Sequence, residues 1–168
     1  MKKLVPVYQQ SKKLSCGPAA LRMVLEYYGV KKSEKEIAKA VGGIRKYGIK
    51  TVDLGWYAKK LGYKVELLSY NRKLSKDRAK IKKTQITDIL KFIKKEIPLI
   101  LAVRSCLLHD KKYSKLGHFI VITDYKKGLF YYNDPLDGKR HRIERDSLLL
   151  AWYNNVLESS AYLLAVWK

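Results

Sequence analysis

The stretch QQSKKLSCGPAALRMVLEYYG, residues 9–29, joins a polar loop, a cysteine and a strongly apolar helical pattern. Pro18 suits the first turn of a helix, and leucine, valine and tyrosine side chains then recur at helical spacing. Because alanine, methionine and tyrosine occupy much of the remaining surface, the pattern predicts a buried helix. Gly29 ends this helix as a left-handed cap. Cys16 is therefore expected at the N-terminus of a core helix.

The rest of the chain has helical patterns first and strand patterns later. SEKEIAKAVGG has Ser33 and Glu36 in capping-box spacing, and TVDLGWYAKKLG predicts a third helix capped by Thr51. YKVELLSY alternates as a strand, and ITDILKFIKKEIP predicts a fourth helix. LILAVR, HFIVITDY, LFYYND, KRHRI and AYLLAVW are strand-like, with one helical insert, RDSLLLAWYNN. We expect an α+β fold with N-terminal helices packed on a C-terminal antiparallel sheet, in one domain spanning residues 1–168.

The chain is strongly basic, with 36 basic residues, 15 acidic residues and a net charge of +21. Such a charge attracts polyanions, but the basic residues are spread along the whole chain. The densest basic segment, residues 71–83, has no aromatic side chains that would stack on bases, and we read it as an exposed excursion. We therefore expect no nucleic-acid partner.

Two further features bear on location. The chain has no run of about 18 apolar residues that would predict a membrane span, and MKKLVPVYQQ lacks the apolar segment of a secretory signal. We therefore expect a cytoplasmic protein. In a reducing compartment its two cysteines, Cys16 and Cys106, are expected to be free thiols.

Cys16 is a candidate nucleophile. Unpaired backbone N–H groups and the positive end of the helix dipole favour a thiolate, although a buried core thiol remains an alternative. A general base must be held within hydrogen-bond reach of that thiol. His118 begins the strand pattern HFIVITDY and meets this need best. His109 lies in a long loop, residues 104–117, that we interpret as a lid, and His141 lies in the basic stretch KRHR.

The segment DYKKGLFYYND predicts a β-hairpin whose turn decides which side chains share a face. A three-residue loop, residues 126–128, is favoured because its last residue is a glycine. That register places Asp134 opposite Ile120, on the same face as His118, where the carboxylate can orient the imidazole. A two-residue loop would turn Asp134 to the other face.

Attack on a carbonyl also requires a donor for the oxyanion. Gln10 lies six residues before Cys16, so its amide can fold back beside the helix N-terminus. With the backbone N–H of Cys16 it would form a two-donor hole. Gln9 remains an alternative donor.

A zinc site is the competing constellation. Cys106 and His109, together with Cys16 and His118, offer thiolate and imidazole ligands. However, the chain has no CxxC pair, and the ligands would have to converge from three separate segments. We therefore expect no metal and no organic cofactor.

Three motifs in this order resemble a known enzyme family. Q-x5-C-G-P-A-A-L-x-M-V-L-x-Y-Y-G, G-H-F-I-V-I and N-D-P-x-x-G are similar to motifs of the bacteriocin-processing, or double-glycine, cysteine peptidases of the papain-like superfamily. The resemblance runs from residue 5 to about residue 152 and includes GIKTVDLGWYAKKLGY and a late LLLAW. It implies a papain-like cysteine peptidase fold and thiol peptidase chemistry. In that chemistry Cys16 is the nucleophile, His118 the general base and acid, Asp134 the group that orients His118, and Gln10 the oxyanion donor.

The resemblance also implies a peptide or protein substrate. Ser15 stands where transporter-linked members commonly carry an acidic residue, and no membrane or ATP-binding segment follows. We therefore expect a stand-alone enzyme, with a separately encoded transporter as a candidate partner. Those members cut after Gly-Gly, so a leader peptide is a candidate substrate. Two alternatives remain: an amidase or transpeptidase that uses the same thioester, and a non-catalytic basic binding module.

Overall fold

The computed structural model describes residues 3–109, 112, 117–154 and 161–168. Within these residues the helices are α1 (Cys16–Tyr27), α2 (Glu34–Ala40), α3 (Thr51–Lys60), α4 (Arg72–Ser75), α5 (Ile86–Ile93), α6 (Ser105–Leu108) and α7 (Arg145–Tyr153). The strands are β1 (Lys64–Ser69), β2 (Lys80–Ile81), β3 (Leu99–Arg104), β4 (Gly117–Lys126), β5 (Leu129–Asp134), β6 (Lys139–Glu144) and β7 (Leu163–Trp167). The predicted α+β class is confirmed.

The strands form one sheet in the order β2-β1-β7-β3-β4-β5-β6. Neighbouring strands are antiparallel except β1 and β2, which pair in parallel. Strands β3 to β6 are adjacent in this order, so the chain ends of β3 and β5 lie at the same end of the sheet as the beginnings of β4 and β6. The site described below is at this end.

One face of the sheet is covered by α1 and α3, and α2 packs on α1. Leu21 and Leu25 of α1 and Val52 of α3 belong to the same buried cluster as Ile100 of β3 and Val121 of β4. This burial agrees with the apolar pattern that surrounds α1, which has ten buried residues among its twelve. The predicted core helix is therefore present, and Gly29 follows it with a positive φ of 88°.

The other face of the sheet is covered by α5 and α7. Ile89 of α5 and Trp152 of α7 are fully buried with Leu99, Leu101 and Ile120. Alternate residues of β3 thus enter different clusters, because successive strand side chains point to opposite faces. The helices cover both faces of the sheet rather than packing on one face only.

The N-terminal cap predicted for α2 is confirmed, and the cap predicted for α3 is not. The capping box of α2 is present: Ser33 accepts a hydrogen bond from the Glu36 backbone, and the Glu36 side chain accepts one from the Ser33 backbone. In α3 the N-cap is Lys50, and the helix begins at Thr51. No side chain makes a capping hydrogen bond at this end of the helix. The prediction of Thr51 as the cap is therefore wrong by one position.

The basic segment 71–83 is more structured than an exposed excursion. It contains α4, whose Ser75 is fully buried, and β2, which pairs with β1 through residues 68–69 and 80–81. None of the described helices is long and apolar enough to cross a membrane.

The β4–β5 hairpin differs from the predicted register in its turn but not at its far end. Lys126 pairs with Leu129, so the loop has two residues, both with positive φ, instead of three. A β-bulge at Thr123 then shifts the register by one residue, and the Thr123 hydroxyl donates to the carbonyl of Tyr131. Beyond the bulge Val121 pairs with Asn133. The one-residue shifts in register that come from the shorter loop and from the bulge cancel, so the pairing beyond the bulge is in the predicted register.

Candidate active site

The hairpin register brings His118 and Asp134 together. His118 lies at the beginning of β4 and Asp134 is the last residue of β5, so antiparallel pairing places them at the same end of the sheet. The Nε2 atom of His118 is 2.7 Å from Oδ1 of Asp134. His118 is 6% exposed and Asp134 is fully buried, so this contact is shielded from water.

Burial and hydrogen bonding act in opposite directions on both groups. Burial acts to lower the pKa of His118, but hydrogen bonds to Asp134 and Cys16 outweigh it and raise the pKa to about 9. Burial acts to raise the pKa of Asp134, but its contacts with His109 and His118 and the hydrogen bond from the Leu136 backbone hold it well below its usual value. The geometry therefore favours an imidazolium beside a carboxylate.

Cys16 is the first residue of α1 and is buried. Cys16 acts on the His118 side chain and helps to raise its pKa. Because Nε2 of His118 is engaged by Asp134, Nδ1 is the nitrogen that remains for Cys16. Cys16 and Asp134 thus both act on the same imidazole ring.

The N-terminus of α1 leaves its positive end without a competing anion. Ser15 precedes the helix, but its hydroxyl bonds the backbone of Lys12 and makes no capping hydrogen bond. The first turn of α1 contains no acidic side chain. The backbone N–H groups of this turn are thus available to a negative charge at Cys16.

Gly17 lets α1 approach the strand that carries His118. A Cβ on Gly17 would lie 3.2 Å from side-chain atoms of both Leu54 and Phe119. Phe119 follows His118 in β4, so a larger residue after Cys16 would press against the strand that positions the imidazole.

The backbone of Gln10 contacts the residue that follows Asp134, whereas its side chain contacts the loop that leads to Cys16. Its backbone N–H donates to the carbonyl of Pro135, which follows Asp134, at 2.7 Å. Its side-chain Nε2 donates to the carbonyls of Lys12 and Lys13 at 2.8 and 2.9 Å. Its Oε1 is buried without a hydrogen bond to any described residue.

The segment that carries Gln10 is attached to the turn between β5 and β6. Gly138 has a positive φ of 67°, and a Cβ there would lie 2.9 Å from both the backbone nitrogen and the Cβ of Gln9. Asn133 donates from Nδ2 to the carbonyls of Val5 and Pro6. The glycine and asparagine of the N-D-P-x-x-G motif therefore hold the N-terminal segment in place.

The sequence predicts His109 within a lid, whereas in the structure its side chain contacts Asp134. It follows α6, and its Nε2 is 2.8 Å from Oδ2 of Asp134, without the alignment of a regular hydrogen bond. Residues 110–111 and 113–116 of the predicted lid lie outside the described residues. The available signal was the position of His109 just after a strand that pairs with the strand of His118.

All three histidines of the chain gather at this end of the sheet. The His109 ring is 6.4 Å from that of His118 and 6.2 Å from that of His141, between ring centroids. The Nε2 atom of His141 is 2.9 Å from Oδ2 of Asp137, and its ring stacks on Tyr132. Among the described residues, the group with metal-ligand spacing is His109, His118 and Asp134. It does not include the cysteines of the zinc alternative.

Comparisons with known proteins agree with this architecture. The structure resembles the peptidase domain of Streptococcus ComA, a bifunctional ABC transporter of a quorum-sensing pathway, with a TM-score of 0.72 at 19% identity over 98% of this chain and 99% of that one. A C39-like peptidase from Bacillus anthracis gives 0.71 at 18% identity over 98% and 94%. A double-glycine motif protease from an AMS/PCAT transporter, solved with its leader peptide, gives 0.63 at 20% identity over 98% and 92%.

These structural likenesses establish the fold. No curated protein shows significant similarity to the chain. The model of one protein family, the Peptidase_C39 like family, matches residues 2–159, which is nearly the whole chain. The chain therefore belongs to the Peptidase_C39 like family and is, by that membership, a cysteine peptidase.

Proposed function

We propose that this chain is a peptidase that hydrolyses a peptide bond through a triad of Cys16, His118 and Asp134. The observation that carries the proposal is the environment of His118: its Nε2 is 2.7 Å from the buried Asp134 carboxylate, and Cys16 and Asp134 both act to raise its pKa. Each member belongs to a different rigid element: the start of α1, the start of β4 and the end of β5. A nucleophile, a base and a group that orients the base are the components that covalent acyl transfer requires.

In the proposed reaction the Cys16 thiolate, paired with the His118 imidazolium, attacks the carbonyl carbon of the substrate. A C–S bond forms and the carbonyl π pair moves to oxygen. When the tetrahedral intermediate collapses, the C–N bond breaks and Nδ1 of His118 gives its proton to the leaving amine. His118 then takes a proton from water as the water oxygen attacks the thioester carbonyl, and the C–S bond breaks to release the acid and restore the Cys16 thiolate. Asp134 holds the ring by Nε2 throughout.

Gln10 is the proposed side-chain donor to the oxyanion, with the backbone N–H of Cys16 as the second donor. Support comes from the hydrogen bond between its backbone and Pro135, which keeps residue 10 next to the end of β5. Its amide N–H groups face the carbonyls of Lys12 and Lys13. In the proposed reaction one of these amide N–H groups therefore turns from the loop carbonyl to the substrate when the oxyanion forms.

The proposed substrate is a peptide or protein, with cleavage after a Gly-Gly pair of a leader peptide as its most specific form. The support is that a relative with this fold is a double-glycine motif protease crystallised with its leader peptide. We further propose a cytoplasmic location, supported by two free cysteines, and a separately encoded transporter as partner.

A cleavage assay tests the proposal directly. Synthetic leader peptides ending in Gly-Gly, Gly-Ala or Ala-Ala before the cut site would be incubated with the purified chain, and the products identified by mass spectrometry. Added amine nucleophiles would distinguish the alternative transpeptidase, because it would form the amine adduct, whereas a peptidase or an amidase would release the free acid.

Two cysteine variants serve as a matched pair for this assay. We expect Cys16→Ala to abolish cleavage and Cys106→Ala, which removes the other buried thiol, to retain it. Cleavage by Cys16→Ala at the wild-type rate would refute the triad. A loss of cleavage restricted to Cys106→Ala would do the same.

A further inference from the structure

The Asp134 carboxylate has two sides that face two different histidines. Oδ1 contacts His118 Nε2 and accepts the backbone N–H of Leu136, both at 2.7 Å. Oδ2 faces His109 Nε2 at 2.8 Å. Oδ2 of Asp134 and Nε2 of His109 are both buried, and neither makes an aligned hydrogen bond with a described residue. Buried polar atoms normally have a partner, and among the described residues each of these two atoms has the other, at 2.8 Å.

The donor set suits a transition-metal ion. One ligand atom from each residue, two imidazole nitrogens and a carboxylate oxygen, lies within 4.8 Å of the other two. Zinc holds such nitrogen and oxygen ligands at about 2.0–2.2 Å, so small side-chain rotations allow the three residues to share one ion. Two imidazoles favour zinc, cobalt or iron(II) over the hard cations calcium and magnesium.

His109 is the most exposed member of the ligand set, with a side chain that is 14% exposed. The neighbouring side chain of His141 is 30% exposed. His141 is itself engaged by Asp137, so it lies beside the ligand set without belonging to it.

We propose that His109, His118 and Asp134 form a binding site for a divalent first-row transition-metal ion. When the ion binds, the proton on His118 Nε2 leaves to solvent and the nitrogen lone pair binds the metal, while Asp134 exchanges its hydrogen bond for a metal–oxygen bond. The Cys16 thiol is on the other nitrogen of the same ring and is not a ligand. This distinguishes the site from binding of a metal by the thiol itself.

One consequence concerns catalysis. An ion on His118 Nε2 separates the imidazole from Asp134 and removes it from acid–base work. Metal binding and peptidase activity would then exclude each other. This inhibition rests on the proposed function, whereas the binding does not.

Cobalt(II) titration of the tag-free full-length chain tests the site, because the absorption spectrum reports the ligand type. The key variant is Cys16→Ala, which lacks both the thiol and the proposed activity. We expect it to bind one Co²⁺ within about threefold of the wild-type affinity, with weak visible bands and no near-ultraviolet thiolate charge-transfer band. Added Zn²⁺ should displace the cobalt.

His109→Ala and His141→Ala form the matched pair for the ligand set. Outer-shell changes already weaken metal affinity by 10–100-fold, so loss of the ligand in His109→Ala should weaken it by at least about 100-fold. His141→Ala should bind as the wild type does. Far-UV circular dichroism checks folding, and His109→Gln provides a second variant of similar size if the alanine variant misfolds.

Three results would overturn the site: no saturable cobalt binding, wild-type affinity in a folded His109 variant, or a thiolate band in the wild type that disappears with binding in Cys16→Ala. The last result would assign the metal to the thiol. Because the decisive protein is Cys16→Ala, the outcome is independent of whether the chain cleaves peptides.

Discussion

Asp134 links the two histidines of the site and is fully buried at the end of β5. Its carboxylate stabilises the charged form of His118, which helps to raise the pKa of that residue to about 9. The carboxylate also accepts the backbone N–H of Leu136, which fixes its orientation. In the proposed reaction Asp134 therefore acts through the imidazole and does not itself need contact with the substrate.

Replacing Asp134 tests this dependence. In Asp134→Asn the neutral amide no longer stabilises the imidazolium, so His118 should lose its proton at lower pH than in the wild type. We expect the pKa of His118 to fall from about 9, measured by NMR titration of the ring protons in metal-free protein. Asp137→Asn is the control, because Asp137 contacts His141 instead. Equal His118 titrations in the wild type and Asp134→Asn would contradict this account.

At this scale the sequence predicted which residues to consider better than it predicted their contacts. Cys16 is predicted as the nucleophile from a cysteine before a helical pattern, and His118 as the base from a histidine at a strand start; both roles stay predictions. His109 was missed as a neighbour of Asp134, because the turn of α6 that carries it back over the sheet leaves no periodic signal in four residues.

The β4–β5 hairpin shows how an element can be predicted correctly at one end and incorrectly at the other. A glycine after two lysines is compatible with loops of two or three residues, and the chain adopts the shorter one. The bulge at Thr123 restores the register, and no residue type in this segment specifies a bulge there. The predicted loop is therefore one residue too long, but the predicted register next to Asp134 is correct because the bulge compensates for the shorter loop.

Gly138 gives a prediction for the element that positions Gln10. In Gly138→Ala the new Cβ meets the Gln9 backbone at 2.9 Å and the residue must also keep a positive φ. We expect the 9–10 segment to move, with a loss of stability of about 1–3 kcal/mol and a fall in kcat for peptide cleavage. Urea denaturation and steady-state kinetics measure the two effects.

Gly128→Ala is the matched control for this experiment. Gly128 also has a positive φ, of 80°, but a Cβ there meets nothing within 4 Å. It should show the backbone strain without the fall in kcat. If both variants lowered kcat equally, contact between Gly138 and the 9–10 segment would not matter for the site.

Over the whole molecule, one sheet supplies both the core and the site. Helices on its two faces share the strands β3 and β4, so the two buried clusters should unfold together. We propose that residues 1–168 form one domain on this ground. The net charge of +21 is compatible with that fold, since surface charge influences solubility and weak polyanion binding more than it influences the fold.

Trp152 tests this cooperativity from the face opposite α1. It is fully buried in α7, and its Nε1 donates to the carbonyl of Tyr162 at 2.9 Å. Trp152→Phe removes this hydrogen bond and leaves the carbonyl with the longer bond from the Ala102 backbone N–H, at 3.4 Å, so the free energy of unfolding should fall by about 1–3 kcal/mol. Circular dichroism and fluorescence should still report one coincident transition. Two separate transitions in the wild type would contradict a single cooperative unit.

The central claim, that Cys16 is a nucleophile activated by His118, is tested most directly by labelling with an electrophilic peptide probe. Mass spectrometry would locate the label on Cys16 or Cys106 in the wild type, Cys16→Ala and His118→Ala. We predict rapid labelling of Cys16 alone in the wild type, none in Cys16→Ala and labelling slowed by at least about 10²-fold in His118→Ala. Equal labelling of Cys106, with an unchanged rate in His118→Ala, would contradict the account.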